Sequence, residues 1–333
     1  MKIRIAKLSY WHVHAWDYTR NANEHPDTEI TAVWDELPQR GQEAAEKLGV
    51  PFYSNLDEVL ARDDIDAVIV DAPTSMHRDV MVKAARAGKH IFTEKVVAPT
   101  TAELNDILKA VEEAGVKLTV SLPRLYDAYT VAIRDVLAKG LIGEPTQVRV
   151  RMAHDGAIGN WLPEHFYTLE QTAGGAMIDL GCHPMYLTSL FLGGLPEKIT
   201  ASYGYVTGRE VEDNAIALLS YPNGAIGVVE AGFSSKHSPF QIEISGTQGT
   251  LLYGMPEDRL LVRSEQLDKK IWSELPLAEP LPSAFSQWVS HIQNGTVAEE
   301  NLQLASNLTR LMEAANLSAA QGRSIQLSEL SEA

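Results

Sequence analysis

Strand-like and helix-like segments alternate strictly over the first 122 residues, and no other feature of the sequence constrains the fold as much. Short apolar runs predict buried strands at 3–8, 29–34, 66–70, 90–93 and 116–121. Helical periods between them predict helices at 12–24, 39–48, 76–87 and 100–114. Because strands separated by helices pair in parallel, the sequence predicts an α/β fold with an N-terminal Rossmann-type doubly wound parallel sheet.

The second half of the chain has a different pattern. From residue 198 to 263 many strand-like segments follow one another, separated by turn signals such as Pro222-Asn223-Gly224. This pattern predicts a C-terminal α+β domain built on a large, mostly antiparallel open sheet. A chain of 333 residues suits two domains. We place them at 1–122, as a dinucleotide-binding domain, and 123–333.

The amino-acid composition limits the kinds of molecule that this protein is expected to bind. The formal net charge of -16 disfavours nucleic acid and anionic membranes, both of which need a basic surface. Cys182 is the single cysteine of the sequence, which fits a reducing cytoplasm. The sequence shows no signal peptide and no apolar stretch as long as a membrane span, so we expect a cytoplasmic protein that binds a small molecule.

Polar residues follow several predicted strands at their carboxyl ends, where doubly wound sheets bind ligands. The candidate cofactor-binding residues at these ends are Ser9, Tyr10, Trp11, His12, Asp35, Ala72, Pro73, Thr74, Glu94 and Lys95. Asp35 stands where a dinucleotide fold has the acid that binds the adenosine ribose, which favours NAD. Arg40 weakens this preference, because a guanidinium could hold the 2'-phosphate of NADP. Alternatively, Asp35 is a plain turn residue.

The first turn is unusual for a dinucleotide fold. It normally contains glycines, but this chain has none between Met1 and Gly41. Trp11 would crowd a pyrophosphate unless its ring turns aside, whereas Ser9 and His12 could donate hydrogen bonds to it. These residues alone are compatible both with dinucleotide binding and with its absence.

A candidate pair of acid–base groups lies in the segment 174–187. Asp179 and His183 are four residues apart and share one face of a predicted helix, and Pro184 predicts a bend at Leu180. Lys95 ends a buried strand, where burial would lower the pKa of an ammonium toward a range useful in proton transfer. The alternatives are a satisfied polar pair for Asp179 and His183, and an ion pair for Lys95.

Several of these motifs together resemble the glucose-fructose oxidoreductase / inositol dehydrogenase (Gfo/Idh/MocA) family over the whole chain. Ala72-Pro73-Thr74 with His77 is similar to the family's turn along the nicotinamide ribose, and Glu94-Lys95 to its Glu-Lys-Pro motif. Gly174-Gly175 with Asp179, Gly181 and His183 is similar to its second-domain helix. The chain departs from the family at the first turn, at Val96 in place of proline, and at Tyr186, where many members have a second acid.

The resemblance implies an NAD(P)-dependent oxidoreductase that transfers a hydride between a nicotinamide and a carbinol carbon of a sugar, polyol or related cyclic alcohol. It implies that Lys95 and His183 act as acid and base and that Asp179 orients the hydroxyl. The second domain would bind the substrate and form a homodimer or homotetramer through its open sheet face. Candidate substrate contacts, from polar and aromatic segments, are Arg124, Tyr126, His154, Trp161 and His165. The segment of Trp161 and His165 could instead be a loop that caps the core.

Two other function classes stay open. The chain could be a non-catalytic ligand-binding or regulatory protein that kept the fold, which the missing glycines suggest. It could also be a metal-dependent lyase or hydrolase with Asp179, His183 and either His154 or His165 as ligands. The sequence contains no complete metal-ligand motif, and the leading interpretation has no metal.

Overall fold

The computed structural model describes residues 2–255 and 257–330. The strands are β1 (Ile3–Leu8), β2 (Thr28–Trp34), β3 (Phe52–Tyr53), β4 (Ala67–Val70), β5 (His90–Thr93), β6 (Leu118–Val120), β7 (Pro145–Ala153), β8 (Lys198–Gly204), β9 (Asn214–Ser220), β10 (Ile226–Gly232), β11 (Gln241–Gly246), β12 (Gly249–Tyr253), β13 (Leu260–Ser264), β14 (Ser273–Leu275) and β15 (Ile325–Gln326). The helices are α1 (Ala15–Glu24), α2 (Pro38–Leu48), α3 (Leu56–Leu60), α4 (His77–Arg86), α5 (Thr101–Ala114), α6 (Ala128–Ala138), α7 (Leu169–Thr172), α8 (Ala176–Asp179), α9 (Cys182–Phe191), α10 (Ala284–Asn294) and α11 (Glu299–Gln321).

The first of two compact units contains the predicted parallel sheet. It comprises residues 2–122 and 282–306, and its strands lie in the order β3-β2-β1-β4-β5-β6. All neighbouring strands of this sheet pair in parallel. β4 is buried along its whole length, as expected for a central strand with helices on both faces. The prediction of a doubly wound sheet is confirmed.

Residues 282–306 belong to this first unit, although the sequence analysis placed them in the second domain. The rings of Phe285 and Trp288 on α10 pack against Phe92 of β5, with centroids 5.5 and 5.7 Å away. The Asn301 amide also bonds to both the N–H (2.9 Å) and the C=O (2.8 Å) of Val120, at the edge strand β6. These contacts join segments far apart in the chain, which sequence periodicity does not reveal.

The second unit contains the large sheet. It comprises 123–281 and the described residues from 307 onward, with strands in the order β14-β13-β12-β11-β7-β10-β9-β8-β15. β7 and β10 pair in parallel and the remaining neighbours are antiparallel, as predicted for a mostly antiparallel sheet. Side chains of β9 alternate between buried Ala217 and Leu219 and exposed Ile216 and Leu218, so one face is covered and the other is open.

Among the described residues, none of the helices is both long and apolar enough to cross a membrane.

Candidate active site

The turn after β1 is tight although it contains no glycine. Ser9 adopts a left-handed conformation with φ of 72°. Its N–H donates to the Trp34 carbonyl (2.6 Å), and its Oγ accepts from the Trp11 N–H (3.1 Å). Glycine is the usual residue in this conformation because other side chains are strained there. Ser9 therefore makes the tight turn that glycine makes in other dinucleotide folds.

Substitutions at Ser9 test this role. We expect Ser9→Val to destabilise the chain by about 1–2 kcal/mol, because a β-branched side chain is strained at positive φ and cannot accept the Trp11 bond. Ser9→Gly should stay within about 1 kcal/mol of the wild type, since relief of strain offsets the lost hydroxyl. Denaturant unfolding of the two variants measures both effects. Equal stability of the valine variant and the wild type would contradict this description of the turn.

A buried ion pair lies directly beneath the turn. The Lys7 ammonium contacts a carboxylate oxygen of Asp71 and donates to the Ser9 carbonyl (2.7 Å), and neither charged side chain is exposed. Burial lowers the pKa of Lys7 and raises the pKa of Asp71 to about 6, and in each case the partner opposes the shift. The role of Lys7 is not evident from the sequence, because a lysine in a strand pattern is usually an outward-facing residue.

Helix α1 begins at Ala15, three residues later than predicted. Before it, His12 donates its N–H to the Asp71 carbonyl (3.2 Å), and its Nδ1 accepts from the His14 N–H (3.2 Å). Within the described residues, the N–H groups of Val13 and Trp16 donate no hydrogen bond, and both side chains are exposed. Such N–H groups at a helix amino end are suited to binding an anion. Trp11, which could have crowded this turn, is buried with 4% of its surface exposed.

The acid after β2 is already engaged in hydrogen bonds. One oxygen of Asp35 accepts from the Tyr10 N–H (2.8 Å) and Arg40 Nε (2.9 Å), and the other from the Leu37 N–H (2.8 Å) and Arg40 Nη2 (2.7 Å). Arg40 also pairs with Glu36 Oε1. By contrast, Glu36 Oε2 is buried and has no hydrogen-bond partner. The role of Glu36 is not evident from the sequence. Asp35 and Glu36 are adjacent acids after a strand, and only their hydrogen-bond partners distinguish them.

The predicted turn after β4 is buried as well. Ala72 is 1% exposed, and Pro73 and Thr74 lead into a short 3₁₀ helix. The His77 ring lies between backbone carbonyls: Nδ1 is 2.9 Å from the Val96 oxygen, and Nε2 is 3.1 Å from the Ala72 oxygen. Burial lowers the pKa of His77. In this arrangement His77 connects the segments after β4 and β5, and its candidacy as a direct cofactor contact stays a prediction.

The predicted Glu94-Lys95 pair follows β5 and is buried, with Lys95 6% exposed. Glu94 Oε2 accepts from the Lys95 N–H (2.9 Å), while Glu94 Oε1 contacts the Tyr18 hydroxyl and lies 3.7 Å from His12 Nδ1. The Lys95–Val96 peptide bond is cis. Glu94 therefore orients the backbone of Lys95 and connects the turns after β1 and β5.

In the second unit, the segment with Asp179 and His183 is broken as predicted. α8 ends at Asp179 and α9 begins at Cys182, so the break includes Leu180, whose carbonyl lies four residues before Pro184. The amino end of α8 is bound by Glu212, whose carboxylate accepts from the N–H groups of Gly175 (2.8 Å) and Met177 (2.9 Å). A Cβ at Gly175 would lie 2.0 Å from the Glu212 carbonyl oxygen, so only glycine fits. Sequence analysis missed Glu212, because it comes from a distant loop.

His183 is 6% exposed, and its Nδ1 lies 3.2 Å from the hydroxyl of Tyr186. The same hydroxyl accepts from the Arg124 N–H (2.9 Å). Asp179 is half-buried at the end of α8. Burial lowers the pKa of His154, and the negative charge of Asp179 opposes this shift. Two connections between predicted residues of this unit follow. The Tyr186 hydroxyl links His183 to the backbone of Arg124 by hydrogen bonds. Asp179 interacts electrostatically with His154.

The loop after β7 forms an aromatic surface. The ring of His154 stacks on Phe233 (centroids 5.0 Å apart, planes at 7°) and lies 4.6 Å from the ring of Trp161. Trp161 donates its Nε1–H to Asp155 (2.9 Å) and is 54% exposed. This hydrogen bond orients the exposed Trp161 indole, whose flat face can pack on the apolar face of a ligand ring.

The remaining predicted contacts have different surroundings. The Arg124 guanidinium bonds to Asp127 (3.2 Å) and lies 5.5 Å from the Phe240 ring centroid, and its buried Nε has no hydrogen-bond partner. Tyr126 is buried, and its carbonyl accepts from the Leu281 N–H (3.0 Å). His165 is half-buried, with its ring 5.2 Å from that of Phe166.

Comparison with known proteins places the chain in a family. Residues 13–122 match the model described as "Oxidoreductase family, NAD-binding Rossmann fold", and residues 130–252 match the GFO/IDH/MocA C-terminal domain. A scyllo-inositol 2-dehydrogenase (NAD(+)) of Bacillus subtilis (strain 168) is 30% identical over 258 residues, which are 75% of this chain and 72% of the relative. The chain belongs to the Gfo/Idh/MocA oxidoreductase family. It is a nicotinamide-dependent oxidoreductase that acts on CH–OH groups.

Other members agree with this placement. The 1,5-anhydro-D-fructose reductase of Ensifer adhaerens is 29% identical over 231 residues, covering 67% of this chain and 68% of the relative. The crystal structure of an aldose-aldose oxidoreductase from Caulobacter crescentus superposes with a TM-score of 0.82 at 21% identity, covering 98% of this chain and 100% of that one. At this identity the structural likeness shows the fold alone, a parallel Rossmann-like sheet followed by a mostly antiparallel one.

Proposed function

We propose that this Gfo/Idh/MocA oxidoreductase acts on a carbinol carbon of a sugar, polyol or related cyclic alcohol, or on the corresponding ketone. The observation that carries the substrate class is the Trp161 ring, half-exposed and held by Asp155 beside His154. Flat aromatic faces pack on sugar rings, while neighbouring polar groups bind hydroxyls. The names of two relatives, an inositol dehydrogenase and an anhydrofructose reductase, support the same class.

We further propose roles for three side chains. Lys95 and His183 are proposed as the acid–base groups that act on the oxygen of the reacting carbinol, and Asp179 is proposed to orient the hydroxyl. Support comes from the family motifs and from the burial of Lys95 and His183, since buried groups have tunable protonation. When bound, the nicotinamide supplies or accepts the hydride. Arg124, Tyr126, His154, Trp161 and His165 are proposed to hold the substrate.

The described residues fit a dinucleotide. The unused N–H groups of Val13 and Trp16 suit a phosphate, and the partnerless acceptor Glu36 Oε2 suits a ribose hydroxyl. We propose NAD as the preferred cofactor. Arg40, which the sequence analysis considered as a phosphate ligand, is bound to the carboxylates of Asp35 and Glu36. A 2'-phosphate at this place would face two negative charges.

Cofactor preference can be measured directly by fluorescence titration with NADH and NADPH. We expect NADH to bind roughly tenfold tighter or more, because like charges in contact cost several kcal/mol. Glu36→Gln should narrow this ratio, whereas Glu43→Gln, on the exposed side of α2, should leave it unchanged. Tighter binding of NADPH to the wild-type protein would overturn the assignment.

The two alternative functions have weaker support. A non-catalytic protein was suggested by the missing glycines, but Ser9 provides the left-handed turn without them. For a metal enzyme, the group of side chains close enough to share an ion among the described residues is His12, His14 and Glu94, with donor atoms within 4.8 Å of one another. That group does not include Asp179 or His183. Metal analysis of protein purified without chelators tests this alternative, and a stoichiometric ion needed for turnover would favour it.

We also propose that the chain is cytoplasmic and assembles as a homodimer or homotetramer through its open sheet face. On this face Ile216, Leu218 and Ile226 expose apolar side chains in neighbouring strands. Covering such a patch by a second copy would remove it from water. Sedimentation equilibrium of the wild type and of Leu218→Glu measures the assembly, and a monomeric wild type would contradict the proposal.

A further inference from the structure

The hydroxyl of Tyr186 is enclosed in the second unit. The side chain is fully buried, with 0% of its surface exposed. In the described part of the chain the hydroxyl has two hydrogen-bond contacts: the Arg124 N–H at 2.9 Å and His183 Nδ1 at 3.2 Å. A backbone N–H can only donate, so toward Arg124 the phenol oxygen is the acceptor.

The phenol has one proton of its own, and that proton needs an acceptor. Burial raises the pKa of Tyr186 well above its ordinary value, so the hydroxyl stays protonated. A buried O–H left without a partner costs about 1–3 kcal/mol. His183 Nδ1 is the remaining contact, and it can accept only when it carries no hydrogen.

We infer that Tyr186 is a positioning residue that holds His183 in the tautomer with an unprotonated Nδ1 and a protonated Nε2. A carboxylate in place of the phenol would accept from an Nδ1–H and favour the opposite tautomer.

This inference deepens the proposed function and rests on it for its catalytic consequence. A neutral ring with its proton on Nε2 donates a hydrogen bond from that nitrogen, and the nitrogen has no lone pair with which to accept a proton. In this tautomer the proposed role of His183 toward the substrate oxygen is hydrogen-bond donation from Nε2.

The tautomer can be read without any activity measurement. In the full chain labelled with ¹⁵N-histidine, long-range proton–nitrogen NMR distinguishes the two nitrogens, and His183→Gln assigns the signals. We expect His183 to be protonated at Nε2 in the wild type and to become a mixture of tautomers in Tyr186→Phe. The control Tyr221→Phe removes a phenol that donates to the Gly194 carbonyl (3.1 Å) and should leave the His183 signals unchanged.

Two results would overturn the inference: a wild-type His183 protonated at Nδ1, or a Tyr186→Phe variant with an unchanged tautomer. The wild-type spectrum decides the first even if the variant does not fold. In kinetics, Tyr186→Phe should lower kcat by up to ~100-fold with little change in KM, as expected for a misoriented catalytic group. If no polyol or sugar is turned over, the proposed function fails while the tautomer assignment stands or falls on the spectrum alone.

Discussion

Replacing Lys95 by alanine should lower turnover by ~100-fold or more while the affinity for NADH stays close to that of the wild type. The change removes the only side chain of the first unit to which we assign proton transfer. The backbone of Lys95, which donates to Glu94, is kept. Steady-state kinetics give the loss in kcat, and fluorescence titration gives the affinity for the reduced cofactor.

A matched lysine outside the site serves as the control. Lys83 lies on α4 of the same unit, is half-exposed, and pairs with Asp57 at the surface. Lys83→Ala should keep full activity. A Lys95→Ala variant that retains most of its turnover would contradict the role of Lys95 in the mechanism. Lys95→Arg should be as inactive as Lys95→Ala, because a guanidinium does not release its proton.

Replacing Lys7 by methionine should have the largest effect on stability, a loss of about 3–5 kcal/mol at neutral pH. Methionine fills a similar volume but leaves the Asp71 carboxylate buried without its counter-charge. One oxygen of Asp71 already has no hydrogen-bond partner, so little else remains to compensate it. Denaturant unfolding measures the change in free energy.

The effect should depend on pH in a defined direction. Burial raises the pKa of Asp71 to about 6, above its ordinary value of 3.8, and loss of Lys7 raises the folded-state pKa further. Between the unfolded-state pKa of 3.8 and the raised folded-state pKa of the variant, Asp71 is protonated in the folded variant and ionised in the unfolded chain. The free energy of unfolding of the variant therefore falls as pH rises through this range. The difference between wild type and variant should therefore be larger at pH 8 than at pH 5.

Removing both charges provides the control. Lys7→Met combined with Asp71→Asn should recover most of the lost stability, since no uncompensated charge remains in the core. A Lys7→Met variant with unchanged stability, or a double variant no more stable than Lys7→Met, would show that the pair does not support the turn at Ser9 as described.

The sequence was sufficient for the fold because periodicity is local. The parallel sheet follows from alternating strand and helix periods, and the break before Cys182 follows from one proline. The assignment of 282–306 to the first unit did not follow, because it depends on Phe285 and Trp288 meeting Phe92 across a long stretch of chain.

The site was only partly predictable for a related reason. Residue types and motifs indicated Lys95, Asp179 and His183, but not the groups that support them. Ser9 has a left-handed backbone that its residue type does not suggest. Lys7 and Glu212 act through partners distant in sequence, and a single sequence contains no sign of such pairs.

Transfer of deuterium from the substrate carbon to the nicotinamide tests the central claim most directly. The protein is incubated with NAD⁺ and a panel of carbon-deuterated inositols, anhydrosugars and aldoses, and the nucleotide is analysed by mass spectrometry. We predict that at least one compound yields NADH that carries deuterium, and that Lys95→Ala yields little or none. The same panel is also incubated with NADP⁺. Hydride transfer from a carbinol carbon would be contradicted if the reduced nucleotide carried no deuterium. It would also be contradicted if no compound reduced either NAD⁺ or NADP⁺.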